Sequence, residues 1–166
     1  DFVLHVQWRI KETNGLYAMK TILPDGSYKK DADGKDIVTP TPNADSGILP
    51  RGYPKAQANI WCWPIGSGEI WGYRNDKSMP DAVRAGCVPK VPADKPVGQW
   101  NRFVISVKGD RMTVKLNDQL VIDNVQLPGI PDDGPIGLQH HGGIDKKTGK
   151  HGPASPLVQF RNIYVK

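Results

Sequence analysis

Long apolar runs are missing from this chain of 166 residues. Nothing in it approaches the roughly 20 consecutive apolar residues a bilayer-spanning helix needs, so no membrane span is expected. Helical periodicity is nearly absent as well. Only Ser78–Gly86, with Pro80 near its start and Gly86 past its end, has the punctuation of a short helix. Cysteine is scarce: Cys62 and Cys87 sit in no CxxC and beside no histidine at zinc spacing, which argues against structural zinc. A GxGxxG turn, an HExxH pair and a Ser-His-Asp order are all lacking, so dinucleotide binding, zincin chemistry and triad hydrolysis have no footing. The paired-acid ExDxE strand of a retaining glucanase is missing too. Charge is not lacking, at +5 with a pI of about 9.2. Yet the 22 Lys and Arg are scattered through the sequence in short pairs, without the interleaved aromatics of a nucleic-acid binder. They read as a solvated surface, and no nucleic acid is expected as partner.

What the chain does contain is period-two alternation. Phe2, Leu4, Val6, Trp8 and Ile10 alternate with Val3, His5, Gln7 and Arg9, the pattern of a half-buried strand. Ala56–Trp63 sets Ala56, Ala58, Ile60 and Cys62 against Gln57, Asn59, Trp61 and Trp63. Phe103–Lys108 and Met112–Leu116 flank a turn at Gly109-Asp110-Arg111, and Asn117-Asp118-Gln119 leads into Leu120–Ile122. Pro135–Gln139 and Leu157–Val165 read as the last strands. Gly (18) and Pro (15) together make about a fifth of the chain, enough for frequent turns but below low complexity. The pattern predicts a single all-β domain over residues 1–166, an antiparallel β-sandwich with two long loops at 11–44 and 75–99. The chain opens in mid-pattern at Asp1, so natural sequence upstream of it is expected.

Candidate functional residues gather in three places. One face of Ala56–Trp63 carries Gln57, Asn59, Trp61 and Trp63; amides bond sugar hydroxyls and indoles stack on the apolar face of a sugar ring. Glu69 lies in Gly66-Ser-Gly-Glu-Ile-Trp-Gly-Tyr-Arg74, read as a neighbouring strand that adds Trp71 and Tyr73. The tail Gly134-Pro-Ile-Gly-Leu-Gln-His-His141 ends an apolar strand in Gln139, His140 and His141. The two histidines point to opposite faces if the strand continues. Arg161, among apolar neighbours in the last strand, reads mainly as a structural cation. Asp31-Ala-Asp-Gly-Lys-Asp36 offers oxygens in a glycine turn but lacks the twelve-residue calcium pattern, so no metal site is assigned. Cys62 and Cys87 could close a loop of about 25 residues, worth ~3 kcal/mol. An exported protein could form that bridge, and it is slightly favoured over one buried thiol and one loop thiol.

Several motifs in order carry a resemblance. They are Phe2-Val-Leu-His-Val-Gln-Trp-Arg-Ile10, Asp45-Ser-Gly-Ile48 with Arg51, Gln57 in the next strand, Gly98-Gln-Trp-Asn101, the Asn117-Asp118 hairpin, Gly134–His140 and Phe160-Arg-Asn-Ile163. Together they resemble the 3-keto-disaccharide hydrolase domain family. The chain departs from it where Asp45 replaces an asparagine and where Lys55 and Ile60 replace two acids. The resemblance implies a concanavalin A-like sandwich, a jelly roll, acting on sugars whose C3 hydroxyl is already a ketone. A base takes the acidified C2 proton, the C1 group leaves, and water adds. No cofactor is implied in this chain, since a separate sugar 3-oxidoreductase would supply the ketone. A periplasmic or extracellular location is implied as well. The expected catalytic residues are Glu69 or His140 as base and Arg51 as oxygen contact. Gln57, Asn59, Trp61, Trp71, Tyr73, Gln139 and His141 are expected to bind substrate. A non-catalytic carbohydrate-binding module on the same fold is the alternative, and a structural domain with all indoles in the core is a third reading.

Overall fold

A computed structural model describes residues 1–13, 15–140, 146–147 and 157–166. Strand β1 (Phe2–Ile10) follows the alternation of its sequence, burying Leu4, Val6, Trp8 and Ile10. It is flanked on one side by β10 (Val158–Val165) and on the other by β6 (Asn101–Lys108). Next come β7 (Arg111–Leu116) and β8 (Gln119–Gln126), completing a five-stranded sheet in which every pairing is antiparallel. The β7–β8 hairpin turns at Asn117 and Asp118, both at positive φ, the backbone that the tight Asn-Asp turn requires.

The opposing sheet is smaller. Strand β4 (Asp45–Leu49) lies between β5 (Ala58–Trp61) and β9 (Gly137–Leu138). Its Ile48, with Ala58 and Ile60 from β5, packs in one cluster with Leu4, Trp8, Phe103, Ile105, Val114 and Ile122 of the large sheet. Two antiparallel sheets sharing one apolar core make a β-sandwich, as the alternation predicts.

The elements differ from the sequence reading in three places. The strand expected over Ala56–Trp63 is shorter, because Pro50 and Pro54 each open a single 3₁₀ turn just ahead of it. The expected loop 11–44 holds a hairpin, β2 (Leu16–Lys20) with β3 (Val38–Pro42). Its strands are mostly exposed, so no alternation marks them, and prolines at 40 and 42 are tolerated in a two-stranded ribbon. The segment expected as a strand around Glu69 leads instead into helix α1 (Trp71–Arg74), while the short helix expected within Ser78–Gly86 is present as α2 (Asp81–Gly86).

The disulfide expectation fails. Cys62 and Cys87 are both free thiols. Cys87 caps α2 inside the apolar core and Cys62 follows β5, half-buried. Burial pushes their thiols up, to about 12 and about 11 respectively, so both stay protonated and unreactive. Among the described residues no helix is long and apolar enough to cross a membrane.

Candidate functional site

Register places the site. In the β4–β5 pair Asp45 faces Trp61 and Gly47 faces Asn59, so these side chains share the face turned away from the core. Gln139 enters from the adjoining end of β9, where its N–H donates to the Gly47 carbonyl (2.8 Å) and its carbonyl accepts from Ser46 Oγ (2.7 Å). Above this floor lies a cavity of about 430 Å3, lined among others by Asp45, Gln57, Asn59, Trp61, Trp63 and Gln139. Tyr17 of the β2–β3 hairpin and Trp71 at the start of α1 also line it; both are half exposed, at 45% and 44%. The size is that of a small-molecule site.

The floor is pre-set by hydrogen bonds. Gln57 Nε2 donates to Gln139 Oε1 (2.6 Å) and to the Ser46 carbonyl (3.2 Å). Only a glycine at 47 permits this, since a Cβ there would collide with the Gln57 amide. Gln57 Oε1 and Gln139 Nε2 are left without a protein partner among the described residues, one acceptor and one donor available to a ligand. Trp61 and Trp63 stack with centroids 3.3 Å apart and planes 12° from parallel, and Trp61 Nε1 donates to the Gly66 carbonyl (3.3 Å). A rigid indole wall, an amide floor and one carboxylate, Asp45, suit a polyhydroxylated ligand with one apolar face.

Of the residues expected from sequence to bind substrate, Gln57, Asn59, Trp61, Trp71 and Gln139 meet at this cavity. Tyr73 does not. It points from α1 into the core, fully buried, with its hydroxyl donating to the Pro128 carbonyl (3.0 Å) and Lys55 Nζ over its ring. Two expected catalytic residues also stand elsewhere. Glu69 is fully buried and paired with Arg74, whose Nε donates to Glu69 Oε1. Burial pushes the Glu69 carboxyl up, to about 7, against the pull of the Arg74 guanidinium, and Oε2 has no hydrogen-bond partner among the described residues. Arg74 reaches on to the Gly26 carbonyl (3.2 Å) and the Tyr28 hydroxyl (3.2 Å), so this pair ties α1 to the loop after β2. Arg51, buried and at φ 52°, donates from one terminal nitrogen to the carbonyls of Gly109 (2.9 Å) and Pro131 (2.7 Å). It clamps two loops rather than facing the cavity. His140 is exposed beside Gln139 and is not part of the cavity lining. His141 lies outside the described residues.

Sequence reasoning missed Asp45, Asn43 and Tyr17 as cavity residues. The signal for Asp45 was its place at the head of β4; only the register with Trp61 shows which face it takes. Among the described residues no three His, Cys, Asp or Glu side chains converge as metal ligands. The Asp31–Asp36 turn is closed internally. Asp31 Oδ1 accepts from the Asp33 and Lys35 amides (both 2.9 Å), and Asp36 pairs with Lys20 and Lys30.

Over residues 1–166 the chain matches the family described as "3-keto-alpha-glucoside-1,2-lyase-like domain". Among solved structures it is similar to a Parabacteroides distasonis protein provisionally described as a glycosyl hydrolase. The identity is 15% and the TM-score 0.41, over 99% of this chain and 70% of that one. No curated protein matches it.

Proposed function

The chain belongs to the family of 3-keto-alpha-glucoside-1,2-lyase-like domains, and from that premise we propose that its cavity cleaves 3-keto-glycosides by elimination and hydration. The observation that carries this reading is the convergence of Asp45 with four amides and a stacked indole wall in one cavity. The C3 ketone acidifies the C2 proton. A base removes it, the electron pair passes into the enolate on the C3 oxygen, and the C1–oxygen bond breaks as the leaving oxygen takes a proton. Water then adds across the new C1–C2 double bond, giving net hydrolysis.

A base must touch the proton it abstracts. Glu69 and Arg51 are sequestered behind the cavity, so proton abstraction passes to Asp45, with His140, exposed next to Gln139 in the chain, as the remaining candidate of the two expected bases. The Gln139 amide nitrogen is the donor for the C3 oxygen, Gln57 Oε1 and Asn59 hold hydroxyls, and Trp71 supplies the platform at the mouth. The ketone comes from a separate oxidoreductase. A periplasmic or extracellular location rests on the family alone, since the free Cys62 and Cys87 lend it no support.

The test is incubation with 3-keto-trehalose beside trehalose, following release of the C1 group. Release from the keto sugar alone, lost in Asp45→Asn, is the expected result. Binding of either sugar without release would make this a carbohydrate-binding module.

A further inference from the structure

The outer face of the five-stranded sheet has a composition unlike the rest of the surface. Strands β1, β6, β7 and β10 contain no Asp or Glu. Their outward positions, fixed by the register pairs Gln7–Arg161, Gln7–Arg102 and Val104–Lys115, bring together Arg9, Arg102, Lys108, Arg111, Lys115 and Arg161. Cations dispersed along the sequence are thus gathered on one sheet. Three acids border them: Asp118 on the adjoining hairpin, paired with Arg102, Asp123 on β8, paired with Lys90, and Asp110 in the β6–β7 turn, which accepts from Gln126 Nε2.

Two of these guanidiniums are held in place. Arg9 Nε donates to Gln159 Oε1 (2.7 Å) and Arg161 Nε to Gln7 Oε1 (2.8 Å), and both cations lie over the Trp100 ring, at 4.8 and 3.8 Å from its centroid. Their terminal nitrogens have no protein partner among the described residues, the arrangement that accepts a carboxylate with two parallel bonds. Beside them β10 bulges. Its register slips between His5–Tyr164 and Gln7–Arg161, and Asn162 takes φ 50°. The bulge opens a groove of about 440 Å3 lined by His5, Gln7, Arg102, Asn162, Tyr164 and Lys166. Among the described residues no carboxylate side chain lines it. Gln7 Oε1 accepts from both Arg161 and Asn162 (3.0 Å), which leaves its amide nitrogen as a further donor.

We propose that this sheet face is a second, non-catalytic site that binds a carboxylate-bearing polysaccharide, with the bulge groove seating one acidic sugar residue. Charge complementarity selects a polyanion. The groove's donors, single exposed tyrosine ring and amide suit a hydroxylated ring with a carboxylate. Nucleic acid fits less well, since successive bases need successive free aromatic platforms and Trp100 is already covered by two guanidiniums.

The test is titration of the whole chain with polygalacturonate, with fully methyl-esterified polygalacturonate and with a single-stranded oligonucleotide, at low and physiological salt. Binding to the acidic polymer, weakened by salt and absent for the ester, is expected. Its affinity should fall by about tenfold or more in Arg102→Glu/Lys115→Glu, while turnover in the Asp45 cavity is unchanged. Thermal melting checks that variant's fold, and Arg102→Gln/Lys115→Ala replaces it should it not fold. Equal binding of the ester, tighter binding of the oligonucleotide than of polygalacturonate, or unchanged affinity in the folded variant would each overturn the proposal.

Discussion

Asp45 and Glu69 are both carboxylates beside β5, and their surroundings give them opposite duties. Asp45 lines the cavity, half-buried, and its charge helps to raise the Glu69 pKa, so the two lie near each other. Asp45→Asn keeps the side chain's size and shape while removing the base. Turnover of a 3-keto-glycoside should fall by about 10²–10⁴-fold with the thermal melt little changed. Glu69 contributes to a pH dependence instead. Its folded pKa of about 7 lies above the ordinary 4.5, so the folded state holds the proton more tightly than the unfolded one. That contribution to stability is complete below pH 4.5 and is lost as the pH rises through 7, a change on the order of 3 kcal/mol. Urea titrations across that range should show stability falling in the parent protein, and the Glu69 share of the slope vanishing in Glu69→Gln.

At the scale of elements, α1 is a single turn held by contact with the 3₁₀ turn at Pro54–Ala56. A Cβ on Gly72 would collide with the Lys55 backbone, which cannot move without displacing β5. Gly72→Ala should therefore cost about 1–3 kcal/mol in a denaturation series, and should weaken ligand binding by shifting Trp71. The same local packing marks how far the sequence could be read. Strand β1 and the cavity face of β5 were legible because one side of each is uniformly apolar or uniformly polar. The β2–β3 hairpin was not, because both of its faces are largely exposed and two prolines mask it. Glu69 was misread as lying on a strand because α1 is too short to show a helical period, and its burial follows from Arg74 five residues on. Arg51 and Tyr73 looked like ligand contacts by residue type alone; their partners, loop carbonyls distant in sequence, appear only once the sandwich closes. Asp45 needed the register with Trp61 before its face was known.

Across the whole molecule the two sheets divide the surface into a cavity of amides and indoles on the small sheet and a cationic field on the outer side of the large one. The core between them closes without a covalent staple, as Cys62 and Cys87 are free. The melting temperature should accordingly be the same with and without dithiothreitol. The stacked Trp61–Trp63 pair has a consequence beyond ligand contact. Two indoles held 3.3 Å apart and nearly parallel share their electronic excitations, so the protein should show an exciton couplet in ultraviolet circular dichroism that Trp63→Phe abolishes. Any sugar that settles against this wall will perturb the couplet, which makes the cavity its own optical reporter, readable without a label and independent of whether the bound sugar reacts.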